Sequence, residues 1–236
     1  MTNAIAAASR RPALVESEGA APVLIATKNP HKAGELAALT SGLAGTLALA
    51  EWEARNGRLI PEPEETGRTL AANALLKARA YAEATGLVAL ADDSGLAVPA
   101  LGGAPGVYSA RFGGEGLTDG ERCRLILRLM RTRRDRRAFF ITVLALVRPD
   151  GRHLLWRGRL DGRLTRAPAG RGGFGYDPVF RPQGSALTLA QMSPAQKNAV
   201  SHRARAARAF LADEPVVRAF LSPPEDKKTI NQPPLI

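Results

Sequence analysis

A run of five apolar residues at 87–91, followed at once by two aspartates, constrains the fold of this chain more than any other sequence feature. Its length and its lack of polar alternation predict a strand buried on both faces of a sheet. Two adjacent carboxylates beside such a strand are costly unless a cation meets them, because burial disfavours the charged form. We therefore expect the strand to end at Asp92 and the turn at Ser94-Gly95 to let one carboxylate swing into a cleft.

Four carboxylates flank this strand and the helix predicted before it. Glu64 and Glu65 precede the helix, and Asp92 and Asp93 follow the strand. Carboxylate oxygens are preferred ligands of Mg²⁺, which lowers the pKa of bound water. The set therefore predicts a shared metal site. Each pair also has a structural alternative: Asp93 can cap an Asx-type turn, and the glutamates can complement the dipole of a first helical turn.

The first half of the chain alternates strand and helix patterns. A strand pattern at 23–26 leads through a polar turn into a helix that Pro30 opens. Apolar residues at helical spacing predict a helix over 69–85, closed by Gly86. Asn73 and Lys77 are four residues apart, so they share one face of that helix.

The second half adds a hairpin and two capped helices. Thr118 and Glu121 form a capping box, and Ser193 and Gln196 form another. A strand at 139–147 is expected to pair with the polar-alternating segment 154–164. The mixture of strand–helix alternation with a central hairpin predicts an α/β fold with a mixed sheet.

Basic and hydroxyl groups supply what a phosphorylated ligand needs. Thr27, Asn29 and Lys32 lie in the turn that opens the first helix, where backbone N–H groups and the helix dipole favour phosphate. This turn lacks the Gly-x-x-x-x-Gly-Lys pattern of a Walker A loop. Four further basic side chains are candidates, although a single basic residue on a helix is more often at the surface: Lys77, Lys197, His202 and Arg203.

A glycine-rich loop at 172–178 provides groups suited to a nucleobase. Phe174 and Tyr176 offer aromatic faces for stacking, and Asp177 offers a carboxylate to accept from a ring N–H. The structural alternative is a tight turn that packs both aromatic rings into the core.

The formal net charge of +11 favours anionic partners such as nucleic acid, an acidic membrane or a phosphorylated small molecule. A basic nucleic-acid-binding module is therefore a rival interpretation. It is disfavoured because the arginines do not interleave with aromatic residues and a carboxylate cluster repels phosphates. The longest apolar stretch, at 138–147, has half the length of a membrane-spanning helix, so no membrane partner is expected. The single Cys123 excludes an intramolecular disulfide and fits a reducing cytoplasm.

The two ends of the chain differ in character from its middle. Residues 1–21 have no clear periodicity and predict a disordered extension, whereas the tail from Ser222 is rich in proline and predicts a flexible end. We place one catalytic domain at 22–212 and a C-terminal end at 213–236.

Seven motifs occur in an order that resembles the inosine/xanthosine triphosphate pyrophosphatase family, also described as noncanonical purine NTP pyrophosphatases. They span most of 22–212 and are Ala26–Lys32, Glu64–Gly67, Asn73–Ala78, Ala91–Leu96, Gly102–Arg111, Gly172–Pro178 and Ser201–Arg203. The resemblance implies an elongated α/β fold, with a mixed sheet, flanking helices and two lobes around a central nucleotide-binding cleft. It also implies a cytoplasmic homodimer that binds Mg²⁺.

The reaction implied by the resemblance is hydrolysis of ITP, dITP and XTP to the monophosphate plus pyrophosphate. Asp93 would be the catalytic carboxylate and a metal ligand, with Glu64 or Glu65 as a second ligand and Asp92 beside them. The triphosphate-binding residues implied are Thr27, Lys28, Asn29, Pro30, His31, Lys32, Lys77, Ser94 and Lys197. Those implied around the base are Phe174, Gly175, Tyr176, Asp177, His202 and Arg203.

One position departs from the family pattern. The family commonly has an acidic residue before the Asn of the helix motif, and this chain has Ala72 there. If that carboxylate helps to hold metal, this chain must rely on its other carboxylates. A Maf-type pyrophosphatase for other modified nucleotides is a second enzyme interpretation, which the Phe-Gly-Tyr-Asp and Ser-His-Arg motifs disfavour.

Overall fold

The computed structural model describes residues 21–41 and 45–222. Nearly all of the predicted N-terminal extension and all but the first residue of the predicted flexible tail lie outside the described residues. The strands are β1 (Val23–Ile25), β2 (Thr46–Ala48), β3 (Ala89–Ala97), β4 (Arg137–Val147), β5 (His153–Leu164) and β6 (Phe180–Pro182). The helices are α1 (Pro30–Leu39), α2 (Leu49–Asn56), α3 (Leu70–Thr85), α4 (Asp119–Leu129), α5 (Pro194–Val200), α6 (His202–Ala212) and α7 (Glu214–Leu221).

The strands form one mixed sheet in the order β2-β1-β3-β4-β5-β6. β1 runs parallel to its neighbours β2 and β3. The remaining pairs, β3 with β4, β4 with β5 and β5 with β6, are antiparallel. β1 pairs with β3 only as far as Ile25 opposite Leu90, while β3 continues along β4 to Ala97. The second half of β3 therefore has an edge that β1 leaves open, and a crevice of this kind beyond a parallel strand is a common ligand site.

The strand that we expected to end at Asp92 instead continues to Ala97, so that part of the prediction is wrong. Ser94 and Gly95 are strand residues, paired with Thr142 and Ile141 of β4, rather than a turn. The long ladder with β4 keeps the backbone extended and overrides the local turn preference of Ser-Gly.

Most of the other predicted elements are confirmed. Helix α3 starts after the cap Thr69 and ends at Gly86, which adopts a φ of 71°. Both capping boxes are present, and β4 pairs with β5 as predicted. The glutamates at 64 and 65 precede the cap of α3 and lie outside its first turn, so the helix-dipole alternative for them is wrong. Strands β2 and β6 and helices α2 and α7 were not predicted from the sequence.

The buried apolar residues form three clusters around the sheet. Two of them pack at the end that contains β1, one beneath α3 and one beneath α1 and α6. The third cluster surrounds the first half of β4, the second half of β5 and strand β6. Ala91 belongs to the first cluster and Leu96 to the third, so the polar residues between them on β3 lie where the two ends of the molecule meet.

Helix α7 extends the packed region beyond residue 212. Val217 is buried in the cluster beneath α1 and α6, and the guanidinium of Arg148 donates to the backbone carbonyls of Phe220 and Ser222. The domain boundary predicted at 212 therefore falls between two packed helices. None of the helices in the described ranges combines the length and apolar character that a bilayer span requires.

Candidate active site

Asp92 and Asp93 lie in the middle of β3 and are almost completely buried. Because neighbouring residues of a strand point to opposite faces of the sheet, the two carboxylates enter different surroundings. Asp92 meets groups from α1 and α6, and Asp93 meets groups from α3.

On the first face, Asp92 is held by three different side chains. One of its oxygens accepts from Nε and Nη2 of Arg203 at 3.2 and 2.9 Å and from the hydroxyl of Ser94 at 2.9 Å. The ammonium of Lys32 lies 3.4 Å from the same oxygen. Burial alone raises the pKa of Asp92, but the charges of Lys32, Arg203 and Lys77 outweigh it and hold this pKa well below its usual range.

Glu35 of α1 extends this ion pair into a network, and the sequence analysis did not single it out. Its carboxylate contacts the guanidinium of Arg203 and lies 2.7 Å from the ammonium of Lys197. Lys197 in turn lies 2.5 Å from the carboxylate of Asp177. The available signal was its position three residues after Lys32, which places both side chains on one face of α1.

Phe174 lies against the cationic members of this network. The ammonium of Lys197 is 4.4 Å and the guanidinium of Arg203 5.6 Å from the centre of its ring. The imidazole of His31 stacks on the ring, with 5.4 Å between ring centres and 14° between planes. Phe174 is half-buried, and its predicted role in base stacking stays a prediction.

On the second face, Asp93 is bound by two residues of α3. The ammonium of Lys77 donates to Oδ1 at 3.2 Å, and the side-chain amide of Asn73 donates to Oδ2 at 3.3 Å. Lys77 also donates to Glu65 at 2.6 Å, and the guanidinium of Arg111 donates to the same glutamate. Burial is the main cause that raises the pKa of Asp93, while the charge of Lys77 opposes it. The predicted shared face of Asn73 and Lys77 is thus confirmed.

The structure corrects the prediction of a four-carboxylate metal site. Among residues 21–41 and 45–222, no three His, Cys, Asp or Glu side chains are grouped closely enough to hold a metal ion. Asp92 faces away from Asp93 and is committed to Arg203, and Glu64 is exposed. What remains is the pair of Asp93 and Glu65, whose carboxylates both contact the single ammonium of Lys77.

The turn after β1 is held by its own side chains. Oδ1 of Asn29 accepts from the backbone N–H groups of His31 and Lys32 at 3.0 and 3.2 Å, and Oγ1 of Thr27 accepts from the N–H of Asn29 at 3.2 Å. These bonds satisfy the first amides of α1, the helix from which Lys32 reaches Asp92. The pKa of Lys32 is lowered, chiefly by burial, although the charge of Asp92 opposes this effect.

Two other residues of this turn, Lys28 and Pro30, lie at the surface. Lys28 is exposed and forms an ion pair of 2.9 Å with Glu53, which also accepts from the backbone N–H of Ile60 at 2.7 Å. Pro30 is the exposed first residue of α1. The roles of Lys28 and Pro30 in triphosphate binding stay predictions.

Two residues predicted around the base, Tyr176 and His202, lie deeper than Phe174, whereas Gly175 is half-buried as Phe174 is. The ring of Tyr176 is buried in the third cluster and its hydroxyl donates to the carbonyl of Ser109 at 3.0 Å, so this side chain follows the structural alternative of core packing. His202 is buried and stacks on Phe140 with 4.5 Å between ring centres. Gly175 donates its backbone N–H to Asp119 at 2.7 Å.

Fold and site together define an α/β protein in which two aspartates lie on opposite faces of the central strand β3. Lysines and a buried arginine surround these aspartates, an arrangement suited to a negatively charged ligand. The Ham1 family model matches residues 23–213, and this chain belongs to the Ham1 family.

Named relatives and solved structures agree with that assignment. The dITP/XTP pyrophosphatase of Deinococcus radiodurans is 50% identical over 190 residues, which is 80% of this chain and 91% of the relative. That of Caulobacter vibrioides is 47% identical over 193 residues, covering 79% of this chain and 94% of the relative. A HAM1 protein structure from Coxiella burnetii has a TM-score of 0.74 at 37% identity, covering 83% of this chain and 99% of that chain.

Proposed function

We propose that this protein hydrolyses noncanonical purine nucleoside triphosphates (ITP, dITP and XTP) to the monophosphate and pyrophosphate. The observation that carries the proposal is the set of side chains around the part of β3 that β1 does not pair. Asp93 and Lys77 lie on one face of this strand. Lys32, Arg203 and Phe174 lie on the other face, around Asp92. The names of the relatives from Deinococcus radiodurans and Caulobacter vibrioides support dITP and XTP among these substrates.

The lysines offset the charge of the triphosphate. Lys32 and Lys77 are close enough for each to affect the other's charge, and both are largely buried, so their fields act in a medium of low dielectric constant. Burial tends to lower the pKa of Lys77, but Asp93, Asp92 and Glu65 outweigh it and raise this pKa, which keeps the ammonium charged. A charged donor held in place stabilises the negative charge that develops on the leaving pyrophosphate.

Asp93 and Glu65 are the carboxylates suited to Mg²⁺. Magnesium retains several waters and needs only one or two carboxylate ligands, so a pair of carboxylates is sufficient. A group of three or more potential metal ligands is not found among the described residues. The ammonium of Lys77 between the two carboxylates marks a position that favours positive charge. When bound, the metal ion would acidify the attacking water.

Asp93 is the group that orients and deprotonates that water. Asn73 and Lys77 fix its two oxygens, so the carboxylate approaches the α-phosphorus with a set direction. Burial raises the pKa of Asp93 and makes it a stronger base than an exposed aspartate.

Selectivity for the base is expected from donors that face the six-position of the purine. Inosine and xanthosine carry a carbonyl there, which accepts from Arg203, a loop N–H or His202. Nδ1 of His202 is buried without a hydrogen-bond partner in the described part of the chain. The amine of ATP would leave such a donor unpaired, at a cost of about 1–3 kcal/mol.

The substrate test compares pyrophosphate release from ITP, XTP, GTP and ATP. We expect kcat/KM for ITP and XTP to exceed that for ATP by about tenfold to a hundredfold for each donor left unpaired. Comparable turnover of ATP would contradict the proposal. We also propose that the protein forms a homodimer, is located in the cytoplasm and has no stable nucleic-acid partner.

Metal dependence has its own test. EDTA is expected to abolish pyrophosphate release, and excess Mg²⁺ to restore it. Replacing Glu65 by glutamine should raise the Mg²⁺ concentration for half-maximal activity by about tenfold, because one of two anionic ligands is lost. Glu64→Gln is the matched control, since this neighbour is exposed. An equal response of both variants would argue against Glu65 as the ligand.

A further inference from the structure

A second concave region lies at the sheet edge where β4 begins and β5 and β6 end. It is a cavity of about 500 Å³, and none of its lining residues belongs to the cleft described above. Five arginines contribute to its wall, whereas Asp135 is the single carboxylate among the lining residues. The arginines are Arg134, Arg136, Arg137, Arg163 and Arg181.

Three of these arginines are directly opposite one another. Arg137 of β4 pairs with Arg163 of β5, which pairs with Arg181 of β6. The adjacent pair Leu164 and Phe180 points into the third apolar cluster, so the three arginines emerge on the other face of the sheet. Like charges directly opposite on neighbouring strands are destabilising, so packing of the sheet does not account for this row.

The positive charge of the cavity is poorly balanced. Arg137 forms an ion pair of 2.8 Å with Asp135. Within the described part of the chain, Arg134, Arg163 and Arg181 form none. A bound anion would relieve this repulsion.

Arg136 places a buried charge in the wall of the same cavity. Its Nε and Nη1 donate to the backbone carbonyls of Leu164 and Met130, each at 2.9 Å, and no carboxylate accepts from it in the described ranges. Burial, with the charges of Arg166 and Arg163, lowers the pKa of Arg136. The guanidinium is thus hydrogen-bonded but electrostatically uncompensated, which an anion nearby would correct.

We propose that this cavity binds a phosphate-bearing anion, with the row of arginines as its recognition surface. A guanidinium presents two parallel N–H donors that match two oxygens of a phosphoryl group. The side-chain amide of Gln183 adds a neutral donor to the wall. Aromatic side chains, which single-stranded nucleic acid needs for base stacking, are missing from the lining residues, so a small phosphorylated ligand fits better.

The test is an NMR titration of backbone amides with inorganic pyrophosphate, in EDTA and at constant ionic strength. We expect saturable shifts at Gly162, Gly184 and Ser185, which line the cavity. The double variant Arg163→Gln/Arg181→Gln should weaken this binding by about tenfold or more. The control Arg79→Gln/Arg157→Gln removes two exposed arginines elsewhere and should leave the shifts unchanged.

Titrations with different phosphate compounds distinguish which kind of phosphate ligand the cavity binds. Equal affinity for orthophosphate would identify a single phosphoryl group as the ligand, whereas tighter binding of pyrophosphate or ATP would identify a phosphate chain; both results support the site. Shifts that do not saturate, or that potassium chloride reproduces, would overturn it. Tighter binding of a ten-nucleotide thymidine strand at the same amides would replace it with a nucleic-acid surface. Product release from the catalytic cleft is not measured, so neither result depends on the proposed hydrolysis.

Discussion

Replacing Asp93 by asparagine is expected to lower kcat by at least about a thousandfold while the fold stays intact. The amide keeps the shape of the side chain, and its oxygen can still accept from Lys77, although its NH₂ group then faces the NH₂ group of Asn73. It can neither deprotonate water nor supply an anionic ligand. Because burial raises the pKa of Asp93, its ionised form costs folding free energy, and the neutral amide removes that cost.

The measurements are pyrophosphate release with ITP and thermal unfolding followed by circular dichroism. The melting temperature of Asp93→Asn should equal or exceed that of the wild type. Glu64→Gln is the matched control, with activity near wild type, because Glu64 is exposed. Activity of the asparagine variant above a tenth of wild type would remove Asp93 from the role of base.

Replacing Arg203 by methionine is expected to reduce the free energy of unfolding by about 3–5 kcal/mol. The guanidinium is almost fully buried and contacts both Asp92 and Glu35, so its loss leaves the buried Asp92 and the half-buried Glu35 with fewer cationic partners. For a chain of this size such a loss corresponds to a fall in melting temperature of about 10 °C. Arg205→Met removes an exposed arginine from the same helix and should cost little.

A second substitution tests the cause of that loss. Asp92→Asn in the Arg203→Met background should recover part of the stability, since it removes the uncompensated charge. If this double variant is no more stable than Arg203→Met, the loss comes from packing rather than charge.

The stability of the wild-type protein is also expected to depend on pH. Because the pKa of Asp92 is lowered in the folded state, the stability this residue contributes is present above its unfolded pKa of about 4 and is lost as the pH falls below it.

Local patterns predicted much of the fold correctly. The capping residues Thr69 and Thr118 mark helix starts, and Gly86 marks a helix end, because each acts on backbone groups within one turn. The same short range explains why the spacing of Asn73 and Lys77 predicted their shared helix face, which the structure then packs against Asp93. The end of β3 was predicted wrongly, because the ladder with β4 is a contact between distant segments.

The candidate site was predicted in its residue types and only partly in its partners. The hypothesis of a shared four-carboxylate site failed because alternation along β3 separates Asp92 from Asp93, a consequence of the strand continuing where a turn was expected. Glu35 was missed because its importance depends on Arg203 and Lys197, which come from helices far along the chain.

The sequence by itself determined that a buried strand runs into two aspartates, that one helix carries Asn73 and Lys77 on the same face, and that candidate phosphate-binding and aromatic groups accompany them. These features follow from periodicity and capping, which act over a few residues. Only the tertiary structure decided that Asp92 is neutralised by Arg203, that Asp93 is left with Glu65 and Lys77, and that Arg137, Arg163 and Arg181 form one row. Those outcomes depend on strand register and on ion pairs between distant elements, and no local pattern in the chain encodes either of them.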